Sequence, residues 1–131
     1  MIAADTNVLV RVFVRDDAAQ FARVRRLLDA CLAEREECLV RLPVLCELEW
    51  VLESAYAARR DDVATAVRAL LSTPPFVVES PDLVQRALRA YATSKADFSD
   101  CLLGQAAQER GARTTYTFDR ALRRVAGFTL L

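Results

Sequence analysis

The chain has 131 residues, 53% hydrophobic and 27% charged, with 18 basic and 18 acidic side chains and a formal net charge of zero; its mean hydropathy is +0.13 and its pI near 6.3. That length suits a single domain, residues 1–131, burying roughly two-thirds of the surface of the unfolded chain, while 3 glycines, 4 prolines and balanced charge exclude disorder, collagen-like repeats and a blanket polycation. The lack of any histidine excludes Ser-His-Asp triads, Cys-His pairs, paired-histidine RNA cleavage and His-based zinc sites together, which leaves catalysis to carboxylates and a metal.

Ile2–Asp5 reads as a short buried strand, and Asn7 can cap the helical run Val8–Val14. Asp17 with Gln20 forms a capping-box variant that opens a second helix, whose apolar positions Phe21, Val24, Leu27, Leu28 and Leu32 recur at helical spacing. Cys38–Leu42 is a compact apolar strand. Pro43 stands where proline starts helices, so a helix is predicted over Pro43–Arg59. Asp61 or Asp62 caps the next helix, which runs to Leu71 and ends at Pro74-Pro75. Phe76–Val78 is a third strand and Pro81–Tyr91 a further helix. Ser99–Arg110 is helical up to Gly111, a natural left-handed terminator. Arg113–Thr117 is a fourth strand, Asp119–Arg124 a short helix and Phe128–Leu130 a last strand. Alternating strands and helices predict an α/β fold with a mainly parallel central sheet flanked by helices. In such sheets ligands gather beyond the carboxyl ends of the strands.

Other classes fall away. Three scattered glycines cannot form a P-loop or a Gly-x-Gly-x-x-Gly turn. Cys31, Cys38, Cys46 and Cys101 contain no Cys-x-x-Cys and read as free thiols of a cytoplasmic protein. No stretch approaches the ~20 apolar residues of a membrane span, and Met1-Ile2-Ala3-Ala4-Asp5 fits no signal peptide.

Four carboxylates stand out by position. Asp5 closes the first strand and Asp119 follows the fourth, although either serves equally as a turn or cap residue. Glu47 borders the apolar stripe Val44, Leu48, Val51, Leu52 and Ala55, whereas Glu49 and Glu53 are predicted on the opposite, solvated side. Asp100 lies in the first turn of a helix that Asp97 or Ser99 caps. Gly104 and Ala107 follow it at i+4 and i+7, a small-residue stripe that lets another backbone approach. Such a set is costly to bring together without cations, and oxygen-only donors suit Mg²⁺ or Mn²⁺.

At Asp5-Thr6-Asn7, Leu45-Cys46-Glu47-Leu48-Glu49-Trp50-Val51-Leu52, Ala96-Asp97-Phe98-Ser99-Asp100-Cys101-Leu102-Leu103 and Thr117-Phe118-Asp119 the sequence resembles the PIN-domain proteins, and among them the VapC-type toxins of bacterial toxin–antitoxin pairs. None of these motifs is specific alone; four in this order and spacing are. The resemblance implies a three-layer PIN-like fold and a Mg²⁺- or Mn²⁺-dependent endoribonuclease that cuts RNA, tRNA or rRNA, leaving 5′-phosphate and 3′-hydroxyl ends. It makes Asp5 and Asp100 the leading metal ligands, with Asp119 beside them and Glu47 completing the catalytic pocket. It also makes Thr6, Asn7 and Thr117 supports that orient the carboxylates, and Asp97 either a further support or only a cap. Cys101–Gly104 departs from the usual Ala-Leu-Ile-Ala type at roughly constant size. The family further implies a homodimer silenced by a small VapB-like antitoxin, with no membrane partner. Arg11, Arg15, Arg120 and Arg123 are candidates to grip RNA phosphates.

Two rival Mg²⁺ families fit badly. A haloacid-dehalogenase phosphatase needs aspartate where Asn7 stands, and a receiver domain needs paired acids by the first strand, whereas Asp16-Asp17 follows a helix. The alternative outside enzymology is a catalytically silent PIN-like scaffold that binds RNA or protein. Retention of all four acids opposes it, because clustered negative charge destabilises a site that has no use for it.

Overall fold

Every strand pairing in the computed structural model, which describes Met1–Leu131, is parallel, as the alternation of strands and helices predicts. The chain divides into two units, Met1–Glu79 and Ser80–Leu131.

The first unit carries a three-stranded sheet, β1 (Ile2–Ala3), β2 (Cys38–Val40) and β3 (Phe76–Val78), in that order. Ile2 lies opposite Cys38, and Cys38 opposite Phe76. The central strand is apolar on both faces, with Cys38 and Val40 fully buried, the pattern of a covered parallel sheet. Burial, and secondarily the neighbouring Cys31, pushes the Cys38 thiol pKa up, so it remains a protonated core group. Because the strands are parallel, Asp5, Arg41 and Glu79 all emerge at one edge, just past the carboxyl ends of β1, β2 and β3.

Four helices complete this unit: α1 (Thr6–Phe13), α2 (Ala18–Glu34), α3 (Leu42–Tyr56) and α4 (Arg60–Ser72). Asp17 caps α2 as predicted, accepting the Gln20 N–H at 2.9 Å. The buried side of α2 is narrower than its sequence suggests: Val24 and Cys31 are buried, while Leu27 and Leu32 are exposed. Asn7 does not cap α1; Asp5, in extended conformation, does. Proline opens α3 at its second residue, and the helix ends at Ala57, whose φ of 52° turns the chain before Arg59. The cap of α4 is Arg59, and Asp62 acts from within the helix, its carboxylate accepting the Arg59 N–H at 2.9 Å.

The second unit contains α5 (Pro81–Ala92), α6 (Phe98–Glu109), β4 (Thr115–Thr117), a 3₁₀ turn (Arg120–Leu122) and β5 (Phe128–Leu130). β4 and β5 form a two-stranded sheet with Thr115 opposite Phe128. Tyr91 of α5 and Phe98 of α6 meet edge-to-face at 6.0 Å between ring centroids, and both are buried. Each such aromatic contributes roughly 1.5–3 kcal/mol through burial. Gly111 ends α6 at φ +87°. Gly104 is needed for a different reason than the small-residue stripe suggests. A Cβ there would stand 2.5 Å from the Phe128 ring, so the glycine admits an aromatic side chain from β5 and not a backbone.

No helix is long and apolar enough to cross a membrane.

Candidate active site

In the first unit the site is built at the junction of β1 with α1. Asp5 follows the strand with φ −82° and ψ 163°, the extended geometry of an N-cap. Its carboxylate accepts the Thr6 N–H at 2.6 Å and its carbonyl accepts the Val8 and Leu9 N–H groups. Thr6 is buried and faces two ways: its N–H serves Asp5, and its hydroxyl donates to Glu47 Oε2 at 2.5 Å. Two carboxylates 42 positions apart in sequence are thereby joined through one side chain. Both Asp5 and Glu47 are exposed, so their charge stays hydrated and accessible. Asn7 is exposed in the first turn of α1.

The face of α3 is rotated from the one predicted. Leu45, Leu48 and Leu52 are buried, and Glu49 with them at 4% exposure, while Ala55 is exposed. The inward carboxylate of this helix is thus Glu49, with Glu53 half-buried one turn on, and both take part in polar interactions. A buried carboxylate is tolerated only when so engaged. Leucine spacing at 45, 48 and 52 marks this face in the sequence; weighting Val44 and Val51 equally hides it.

Nothing in the sequence marks Glu79, which follows β3. Its carboxylate meets Arg41 at 3.0 Å and accepts the Leu42 N–H at 2.9 Å, while its own N–H donates to the Val40 carbonyl. It caps α3 from the residue just past β3. The hydrogen bond from Arg41, then that from Leu42 N–H, holds its pKa below the usual carboxylate value, and Arg41 is raised in return.

In the second unit, Asp97 is the N-cap residue of α6 and its carbonyl accepts the Cys101 N–H at 3.0 Å. Asp100 is half-buried in the first turn of the same helix and is engaged with a partner. Asp119 caps the 3₁₀ turn by accepting the Ala121 N–H at 2.8 Å, and its own N–H donates to the Thr117 hydroxyl at 3.0 Å. Thr117 therefore positions Asp119 through the backbone and not through its carboxylate.

The model of the PIN domain family matches residues 2–128. This chain is a PIN-domain protein. The PIN domain is also 25% identical over 121 residues to the VapC ribonuclease of Aquifex aeolicus (strain VF5), an alignment covering 92% of this chain and 89% of that protein. The α/β fold with parallel pairing is the one that the sequence motifs imply.

The candidate phosphate-gripping arginines divide into two kinds. Arg11 is engaged with Asp16 in an ion pair and with Gln20 by a 2.8 Å hydrogen bond, and Arg15 lies 4.7 Å above the Phe21 ring. Arg120 and Arg123 are exposed beside the turn that Asp119 caps.

Proposed function

We propose that this PIN domain is a metal-dependent endoribonuclease, the toxin of a toxin–antitoxin pair, cutting tRNA or rRNA. The observation that carries the reading is the Thr6 bridge, which joins Asp5 at the end of the first strand to Glu47 on α3 in a chain of the PIN family. Likeness to a VapC ribonuclease over most of both chains supports the RNA-cleaving assignment.

The donor chemistry fits Mg²⁺ or Mn²⁺. Asp5, Asp100 and Asp119 would supply ligands and Glu47 the remaining acid, all of them hard oxygen donors. Thr6 occupies one oxygen of Asp5 and one of Glu47, and each carboxylate keeps a second. A bound ion of this kind supplies a polarised water and charge neutralisation at the phosphodiester. The chain's own contribution is orientation: Thr6 fixes Asp5 and Glu47, Thr117 fixes the turn carrying Asp119, and Asp97 starts the helix carrying Asp100. Asn7 follows Thr6 in the first turn of α1. The reading includes a single working domain over 1–131, a cytoplasmic homodimer, and a VapB-like antitoxin whose arginine or lysine would neutralise the acidic residues.

The test is incubation of the purified chain with total tRNA and a structured rRNA fragment in Mn²⁺, Mg²⁺ or EDTA, beside Asp5→Asn and Asp100→Asn. Discrete metal-dependent cuts with 5′-phosphate ends, absent in both variants, are expected. No cleavage in any metal, or equal cleavage by the variants, would replace the nuclease with a binding scaffold.

A further inference from the structure

The second unit holds a pocket of about 400 Å³ whose charged lining is entirely basic: Lys95, Arg120, Arg123 and Arg124, with Thr93 and Ser94 at one side. All four cations are exposed. Elsewhere in this unit Arg86 has Glu109 at 3.5 Å, but no carboxylate lines the pocket. Four like charges around one cavity repel one another, a cost that an anionic ligand removes.

The walls are fixed from both sides. The Thr93 hydroxyl donates to the Arg89 carbonyl at 3.1 Å, and Ser94 Oγ accepts the Ala96 N–H at 3.3 Å, which sets the loop bearing Lys95. Opposite, Asp119 caps the 3₁₀ turn that begins at Arg120 and leads into Arg123 and Arg124. Backbones held in this way leave only the side chains to order on binding. Three guanidinium forks and one ammonium match the several oxygens of a phosphate better than the two of a carboxylate.

We propose that Lys95, Arg120, Arg123 and Arg124 form an anchoring site for a backbone phosphate of single-stranded RNA, with Arg120 directly following Asp119 in the chain. This deepens the nuclease reading and rests on it for the identity of the polyanion. Contacts of this kind position a strand without reading its bases. The pocket therefore sets where the RNA lies, and sequence choice is made elsewhere.

The test uses the full chain and a fluorescein-labelled single-stranded RNA decamer in EDTA, with anisotropy followed across KCl concentrations. Lys95→Gln/Arg123→Gln is expected to weaken binding about tenfold, and to lower the slope of log affinity against log salt by about 0.7, the value for one phosphate contact on a single strand. Arg68→Gln, on the exposed face of α4, is expected to bind like the wild type, and Asp5→Asn to bind but not to cut in Mn²⁺. Unchanged affinity and slope in the double variant, with wild type binding and cutting, overturns the anchoring site alone. Loss of binding in the double variant, with no cleavage by any form in Mn²⁺, upholds the site and overturns the nuclease. Absence of RNA binding by wild type at any salt overturns both. Competition by a polyglutamate decamer as strong as that by unlabelled RNA overturns the phosphate assignment in favour of an acidic protein segment.

Discussion

Two sets of carboxylates sit in the first unit, and they are treated in opposite ways. Glu79, past β3, is matched by Arg41 and by the Leu42 N–H, so its charge serves the start of α3. Asp5, past β1, and Glu47 on α3 share only the neutral Thr6, and neither has a cation. Acidity at a strand end is therefore not a sufficient mark of a site. What separates a structural acid from a candidate ligand is whether the fold has already neutralised it.

The largest effect that can break this contrast is at Asp5. Asp5→Asn should lower metal-dependent RNA cleavage on the order of 10³-fold, the scale at which charged groups at a reacting centre act. Asparagine caps helices as well as aspartate does, so the melting temperature in EDTA should stay within the equivalent of about 0.5 kcal/mol of wild type. A large loss of stability would make Asp5 another Glu79. Next comes Thr6→Val, which keeps shape and the N–H to Asp5 while removing the hydroxyl bonded to Glu47. It should cost about 10–100-fold in activity or in the Mn²⁺ concentration required, read from metal titrations of cleavage.

The remaining substitutions act on stability. Glu79→Ala should destabilise by about 1–2 kcal/mol, the cost of a lost helix cap, with no change in metal requirement. Glu79→Gln keeps an acceptor for Leu42 but loses the ion pair, a smaller loss than that of Glu79→Ala because Arg41 is largely exposed and solvent screens the pair. The sign with pH follows from the lowered pKa of Glu79. Its advantage over glutamine is fully present above the ordinary carboxylate value and is lost as pH falls through the lower folded value. The difference in urea midpoint between wild type and Glu79→Gln should therefore be largest at pH 7 and shrink as the pH falls below the ordinary carboxylate value. Gly104→Ala acts through packing instead, where a clash of about 1–3 kcal/mol with Phe128 is partly offset by about 1 kcal/mol of helix propensity. A net loss near 1 kcal/mol in urea denaturation is expected.

Much of this was legible in the sequence because it is local. Asp5, Asp97 and Asp119 stand at junctions between elements, and the structure places each as a cap. Phe76–Val78 and Phe128–Leu130 were identifiable as strands from composition and flanking turns alone. The errors arise where the third dimension decides. The buried side of α3 follows its leucines, which turns Glu49 inward, and a helical wheel drawn through the valines misses that rotation by one position. Nothing around Val78-Glu79-Ser80 announces a carboxylate that caps a helix 37 residues earlier. Lys95 and Arg124 gain meaning only when the loop after α5 and the turn after β4 line the same pocket.

The exposed surface of α3 has one more use. Trp50, the chain's one tryptophan, is 70% exposed and lies three residues, nearly one helical turn, beyond Glu47. Its indole emission is therefore that of a water-facing chromophore, and any protein that covers this face will shift it to shorter wavelength. The molecule thus carries its own optical reporter for partner docking, legible without a label and separate from the unfolding of the core.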